Sequence, residues 1–219
     1  MSRPTRPYCL LGFPFPFFVA GTYIAGKMKV IFYRALLKRA NNLTPTEKIV
    51  YSFLVSKSVS SIDCIFESDG VTINKDILDC WFNGEQWSWF DLNKINNSKL
   101  SRELHITRMT AIKCVSKLEQ LRFIKYDFDN DCWLIYINRE MLDGGYFELQ
   151  NIDTIGGDLV VFYSYLRNKG EKYGYNIDTF KSRLADDLGK TKIAITKMLN
   201  RLHKLGLAER LQDGKLLIK

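Results

Sequence analysis

Hydrophobic residues recur at helical spacing in several stretches of this chain, and polar residues mark the ends of these stretches. The first stretch opens at Thr44, where the order Thr-Pro-Thr-Glu predicts a capping box with proline at the first helical position. Apolar residues at positions 49, 50, 53 and 54 then predict an amphipathic helix. A related pattern at residues 158–166 predicts a second helix of the same kind.

The most informative pattern is a passage of 15 residues that occurs twice. Residues 104–118 and 188–202 align without a gap at an offset of 84, and each predicts a short helix, a tight turn and a second helix. Thr107 and Thr191 are equivalent, and we expect each to cap its second helix. The positions expected to face the core on these helices are Ala111, Val115, Leu118, Ile195, Leu199 and Leu202.

A β-hairpin is predicted after each copy of the passage. The strand-like stretches are residues 123–128, 132–137, 207–211 and 215–218. Asp213-Gly214, between the last two, is a strong turn dipeptide. Residues 30–33 and 146–152 are interpreted as an opening strand for each unit. A helix, a helix-turn-helix and a hairpin, in that order, are typical of a winged helix.

The first unit is longer than the second. The order Tyr-Ser-aromatic-Leu occurs at residues 51–54 and 163–166, an offset of 112, so the first unit carries about 28 extra residues. They fall within residues 57–96, which have a net charge of −4 and hold three of the four tryptophans. We expect a small extra layer there, with a strand at residues 85–91. The alternative is a docking face for a protein partner, because aromatic residues also anchor interfaces.

Positive charge is concentrated on the repeated passages. The chain has a net charge of +8, and residues 97–125 and 181–204 each carry seven Lys and Arg against two acidic residues. Each segment therefore has a net charge of +5, which leaves −2 for the rest of the chain. Two matched cationic helices favour a face that binds nucleic acid over an ordinary solvated surface.

The matched segments resemble the winged helix-turn-helix family of bacterial and phage DNA-binding proteins. The resemblance covers about residues 28–219, although His105 stands in the first copy where the turn usually has glycine. It implies a mainly α fold with small antiparallel β wings, arranged as two tandem winged-helix domains. The expected domains are residues 28–143, with the insertion within 57–96, and residues 144–219.

In this family the second helix enters the major groove of DNA and its first residues reach the base edges. Arg108 is the best candidate to pair with guanine, while Met109 and Ile193 contact either a thymine methyl or neighbouring protein. The first wing is acidic and is expected to avoid phosphate. The residues expected to bind DNA are Thr107, Arg108, Met109, Lys113, Lys117, Thr191, Lys192, Thr196, Lys197, Asn200, Arg201, Arg210 and Lys215.

Catalytic and metal chemistry find little support. Gly189-Lys190-Thr191 resembles the end of a P-loop, but Leu184 occupies the required upstream glycine position. His105 and His203 have no triad pattern around them, and the five cysteines include no Cys-x-x-Cys pair. We therefore expect no enzyme activity, no cofactor, no bound metal and free thiols in a reducing cytoplasm.

Residues 1–27 resemble a targeting segment only superficially. Two arginines precede an uncharged stretch, but Pro14 and Pro16 interrupt its apolar part. We interpret residues 1–27 as a disordered or mis-annotated extension, and a membrane anchor is the alternative. No membrane association is expected.

The sequence thus predicts a cytoplasmic, nucleoid-associated protein that binds double-stranded DNA and regulates transcription at specific sites. One alternative is a replication initiator of a plasmid or other mobile element, because such initiators also pair two winged helices. Another is a protein-interaction adaptor on the same fold, which the acidic first wing and the tryptophan-rich insertion favour. The two units can mimic a dimer on a pseudo-palindrome, and a homodimer is the alternative.

Overall fold

The computed structural model describes residues 30–38, 42–58, 79, 82, 85–142, 145–173, 176–177, 181–211 and 215–219 of the 219-residue chain. The predicted extension at residues 1–27 lies outside the described residues, as does much of the predicted insertion. We refer to residues 30–142 as the first half and to residues 145–219 as the second half.

In the first half, the elements with described bounds are four strands and five helices. The strands are β1 (Ile31–Tyr33), β2 (Trp87–Asn93), β3 (Ile124–Asp127) and β4 (Cys132–Asn138). The helices are α1 (Ala35–Lys38), α2 (Pro45–Ser58), α3 (Asn97–Glu103), α4 (Arg108–Gln120) and α5 (Arg139–Leu142). The predicted capping box is confirmed at α2, where the Thr44 amide donates to Glu47 over 2.7 Å and the Glu47 amide donates to the Thr44 hydroxyl over 3.3 Å.

The described elements of the second half follow the same order as those of the first half without α1 and α5. Its strands are β5 (Tyr146–Glu148), β6 (Asn176–Ile177), β7 (Ala208–Arg210) and β8 (Leu216–Ile218), and its helices are α6 (Asp158–Tyr173), α7 (Lys181–Leu188) and α8 (Lys192–Lys204). The described residues thus form a mixed α/β structure with eight helices and small antiparallel sheets, which is compatible with a winged-helix-like fold.

The strands of both predicted hairpins pair antiparallel, and each pair belongs to a three-stranded sheet. The turn predicted at Asp213-Gly214 lies outside the described residues. The strand orders are β2-β4-β3 in the first half and β6-β8-β7 in the second. In each sheet, the strand outside the hairpin is β2 or β6. It follows the long helix (α2 or α6) and precedes the helix-turn-helix in the chain, and it pairs antiparallel with the second strand of the hairpin. The two sheets therefore have the same topology.

The predicted opening strands do not join these sheets. β1 and β5 instead pair with each other, with Phe32 directly opposite Phe147, and form a two-stranded antiparallel sheet that links the two halves. A strand of three residues satisfies few backbone groups alone, and this pairing satisfies them while burying both phenylalanines.

The strand predicted at residues 85–91 forms at Trp87–Asn93 and belongs to the first hairpin sheet. It pairs with β4 from Trp87 opposite Asn138 to Asn93 opposite Trp133. This part of the predicted insertion is thus the counterpart of β6 and not an extra layer. Much of the remaining insertion lies outside the described residues.

The repeated passage forms the same turns in both halves. His105 and Gly189 both have positive φ angles, 50° and 60°, in the turn between the helices. Arg122 and Gly206, also 84 residues apart, have φ angles of 60° and 71° after the second helix. Histidine adopts this left-handed region more readily than most residues, which explains how His105 can stand where the second copy has Gly189. The repeat therefore extends to the backbone conformation.

The Tyr-Ser order that occurs on both long helices has a structural cause. The Tyr51 hydroxyl donates to the backbone oxygen of Tyr136 over 2.6 Å, and the equivalent Tyr163 donates to the backbone oxygen of Lys219. Burial raises the pKa of Tyr51, so this hydroxyl stays protonated as a donor. The buried Ser52 hydroxyl accepts from the amide of Tyr33 and donates to the backbone oxygen of Ile31. These hydroxyl groups therefore anchor α2 to β1 and β4, and α6 to the residue that follows β8.

The two halves share one hydrophobic core. Buried residues of α2, α4 and the first sheet form a continuous cluster with those of α6, α7, α8 and the second sheet. All six core positions predicted on the repeated helices are buried, and so are the four apolar positions predicted on α2. The outward faces of α4 and α8 are fixed by this burial, because each helix can turn only one side inward.

Candidate nucleic-acid interface

Threonine caps begin both α4 and α8, as the sequence predicts. The Thr107 hydroxyl accepts from the amide of Thr110 over 3.1 Å, and the Thr191 hydroxyl accepts from the amide of Ala194 over 3.2 Å. Both caps have extended backbone angles and exposed side chains. Each hydroxyl satisfies a free amide of the first turn and fixes where the helix starts.

Loss of either cap should reduce stability by a similar amount. Replacing Thr191 with alanine is expected to lower the free energy of unfolding by about 1 kcal/mol, because the amide of Ala194 loses its acceptor. Urea unfolding followed by circular dichroism measures this change. Thr191→Ser is the control, since it keeps the oxygen, and it should lie within about 0.5 kcal/mol of the natural protein. Equal losses in both variants would contradict the capping role.

Most of the residues predicted to bind DNA lie on the outer faces of the two helices. On α4, Arg108, Met109 and Lys113 are exposed and Lys117 is half-buried. The exposed residues on α8 are Lys192, Ile193, Lys197, Asn200 and Arg201. We call these two sets the α4 face and the α8 face.

Each face carries one large apolar side chain at the same position. Met109 is 62% exposed and Ile193 is 70% exposed, and they are 84 residues apart. The sequence left open whether these side chains pack against neighbouring protein. Their exposure shows that no described part of the chain covers them. Both lie in the first turn of their helix, beside the capping threonine.

Within the described residues, no carboxylate forms an ion pair with a cation of these faces. In the described part of the chain, no ion pair is formed by Arg108, Lys113, Lys192 or Lys197. Like charges spaced along one exposed helix face produce a positive local potential. The two faces can therefore attract an anionic partner.

Two of the predicted residues on α8 have additional contacts. Arg210 on β7 donates to the side-chain oxygen of Asn200 over 2.8 Å, which joins the second wing to the helix. The Thr196 hydroxyl donates to the backbone oxygen of Lys192 over 2.9 Å, so its proton is used within the helix. The side-chain amide of Asn200 thus lies next to the guanidinium group of Arg210 on the protein surface. Lys215 is exposed at the start of β8, next to this wing.

The first wing has a different chemistry. Asp127, Asp129 and Asp131 lie at its tip, where Asn130 donates a hydrogen bond to Asp127 over 2.8 Å. This hydrogen bond lowers the pKa of Asp127, so the tip is negatively charged at neutral pH. The Tyr126 hydroxyl donates to Asp131, which raises the pKa of Tyr126. The tip of the first wing is therefore acidic, in contrast to Arg210 and Lys215 of the second.

Aromatic side chains surround that acidic tip, and the sequence analysis did not single them out as a group. Phe128 is 86% exposed, and its ring centroid lies 5.0 Å from that of Tyr126. Tyr126 also contacts Trp133 at 5.5 Å. Aromatic residues at alternate positions 126 and 128, with Trp133 on the paired strand, were the available signal. We call Tyr126, Phe128 and Trp133 the wing aromatic group.

Other candidate chemistry is limited in the described residues. Burial raises the pKa of the Cys114 thiol to about 11, so this side chain is protonated and packs within the core. Among the described side chains, no group of three or more His, Cys, Asp and Glu is placed to hold a metal ion. Of the helices in the described ranges, none combines the length and hydrophobicity that crossing a bilayer requires.

Comparison with known proteins gives no guide to the family. Neither protein-family models, nor curated proteins, nor solved structures include a match to this chain. Functional conclusions therefore depend on the geometry and charge of the two faces and the two wings.

Proposed function

We propose that the chain binds double-stranded DNA through two winged helix-turn-helix units and acts as a sequence-specific regulator of transcription. The observation that carries this proposal is the matched pair of faces on α4 and α8. Each combines a threonine cap, exposed cations and one exposed apolar side chain at equivalent positions. The units correspond to residues 28–143 and 144–219.

The α4 and α8 faces suit the major groove in size and chemistry. A groove about 12 Å wide admits one α-helix, and the first turns of such helices meet the base edges. Arg108 would donate two hydrogen bonds to a guanine, and Met109 and Ile193 would contact thymine methyl groups. Thr107 and Thr191 can meet phosphates while they cap, because both are exposed.

The second unit is the stronger binder in this proposal. Arg210 and Lys215 place positive charge on its wing, while Lys192, Lys197 and Arg201 lie on its helix. A wing beside a recognition helix can follow the phosphate backbone. The acidic tip of the first wing would be directed away from DNA.

A protein-interaction adaptor is a second candidate, and the wing aromatic group favours it. Phe128 is almost fully exposed next to three aspartates, a combination that suits a basic partner with an apolar anchor. Adaptor and DNA-binding roles differ in the face that they use, so they can be tested separately. A replication initiator would bind DNA with the same α4 and α8 faces.

Selection of binding sites from random duplex DNA with the full-length protein tests the proposal. We expect an enriched sequence with two half-sites, bound at least about 1,000-fold more tightly than scrambled duplex of equal length. If six cations contact phosphates, log K should fall against log salt with a slope of about −5. A single enriched operator would indicate a regulator, and repeated copies at an origin would indicate an initiator. Binding without salt dependence or enrichment would contradict the proposal and favour the adaptor.

A further inference from the structure

A cavity of about 210 Å³ lies where the two halves meet. The apolar side chains that line it with accessible surface include Leu37 and Pro45 of the first half and Met198 of the second, while Phe32, Leu36 and Phe162 lie behind them in the core. Among the described residues, the charged members of the lining are Lys48, Asp158 and Lys190. The cavity is thus partly open and presents apolar side chains beside charged ones, a combination that small-molecule sites use.

The charges at the polar side do not balance. The ammonium group of Lys190 pairs with Asp158 at 2.9 Å. The Lys48 ammonium group donates to the backbone oxygen of Leu36 over 2.7 Å, and within the described residues it forms no ion pair. Two cations thus share one carboxylate at a partly buried position.

The pKa of Lys48 reflects its burial and this excess of positive charge. Burial lowers its pKa, and the nearby positive charge of Lys190 lowers it further. A desolvated ammonium group is stabilised by an anion that accepts hydrogen bonds from its remaining N–H groups. The cavity thus offers charge-assisted hydrogen bonds to a ligand with one negative group.

We propose that this cavity binds a small monocarboxylate with an apolar body, of about the size of benzoate. A closed apolar cavity of about 150 Å³ holds benzene, and this partly open cavity of about 210 Å³ has room for an aromatic ring with a carboxylate. The carboxylate accepts hydrogen bonds from Lys48, and the ring lies among the apolar side chains. A dianion is disfavoured because Asp158 already occupies Lys190.

The position of the cavity connects such a ligand to α8. Lys190 directly precedes the capping residue Thr191, and Met198 lies on α8 itself. Gly189 also belongs to the lining, and a Cβ there would lie 3.5 Å from the backbone oxygen of Leu37 in α1. A ligand would therefore contact the segment that sets the position of α8 against the first half. The site is independent of the proposed function, because ligand binding requires no DNA.

Titration of the full-length, ¹⁵N-labelled protein with sodium benzoate tests the proposal in amide NMR spectra. We expect saturable shifts in the millimolar range that are largest at Gly189, Lys190 and Val161. Benzyl alcohol, a neutral molecule of similar size, should bind at least about tenfold more weakly because it lacks the charge. Shifts that do not saturate, or equal affinity for both compounds, would overturn the proposal.

Two variants separate the charge from the cavity. Lys48→Met should weaken benzoate binding about tenfold and should still fold, because it removes a desolvated charge. Met198→Phe should weaken binding by filling the space while leaving every charge in place. Lys172→Met, on the exposed end of α6, is the matched control and should bind benzoate as the natural protein does. Unchanged benzoate affinity in Lys48→Met would overturn the assignment.

Discussion

Replacing Lys192 and Lys197 with alanine together is expected to weaken DNA binding by about 10- to 100-fold at moderate salt. Both cations are exposed on the α8 face, and each phosphate contact releases counterions from the duplex. The slope of log K against log salt should therefore become shallower by about 1.8, or about 0.9 for each lysine lost. Fluorescence anisotropy with a labelled duplex, measured at several salt concentrations, gives both quantities.

The matched control removes the same charge from other surfaces. Lys38 is exposed at the end of α1, and Lys172 is exposed near the end of α6. Their double alanine variant should keep the salt slope within about 0.3 of the natural value, because neither residue is on the α4 or α8 face. Equal changes in the two double variants would show that only overall charge matters, and the α8 face would lose its assigned role.

Replacing Phe32 with alanine is expected to lower the free energy of unfolding by about 3–5 kcal/mol. Phe32 is buried on β1, with its ring centroid 5.4 Å from that of Phe147 on β5. Since the core is continuous, both halves should lose stability in one transition. The four tryptophans lie at residues 81–133, so their fluorescence reports on the first half, whereas circular dichroism reports on both. The two signals should change at the same urea concentration.

Phe128→Ala is the control for this substitution, since the side chain is 86% exposed. It should change stability by less than about 0.5 kcal/mol. A double-mutant cycle of Phe32 and Phe147 should give a coupling of about 0.5–1.5 kcal/mol, as expected for an aromatic pair in contact. Separate transitions for the two signals would show that the halves fold independently, against the shared core.

Local patterns predicted the parts of the fold that depend on nearby residues. The caps at Thr107 and Thr191 and the buried positions on α4 and α8 are confirmed, because capping and helical periodicity act within a few residues. The hairpins are also confirmed, since turn residues and alternating apolar positions specify them. The candidate DNA-binding faces follow from the same periodicity.

The pairing of strands that are far apart in the chain was harder to predict from the sequence. The sequence predicted strands near residues 30–33 and 146–152 but not that they would pair with each other. Nothing in a three-residue strand identifies its partner, because pairing depends on which edges the packed helices leave free. The strand Trp87–Asn93 was predicted near its place, yet its membership of the first hairpin sheet came only from the fold.

The order of amino acids is sufficient to specify two similar helix-turn-helix passages, their caps, their hairpins and the side of each helix that turns inward. These features arise from interactions between residues close in the chain, so they can be read along it. The contact between the halves, the Asn200–Arg210 hydrogen bond and the cavity beside Lys48 exist only in the packed molecule. These features join residues that are far apart in the chain or lie on different elements. Their geometry is set when the apolar surfaces of both halves are buried and pack closely in the shared core.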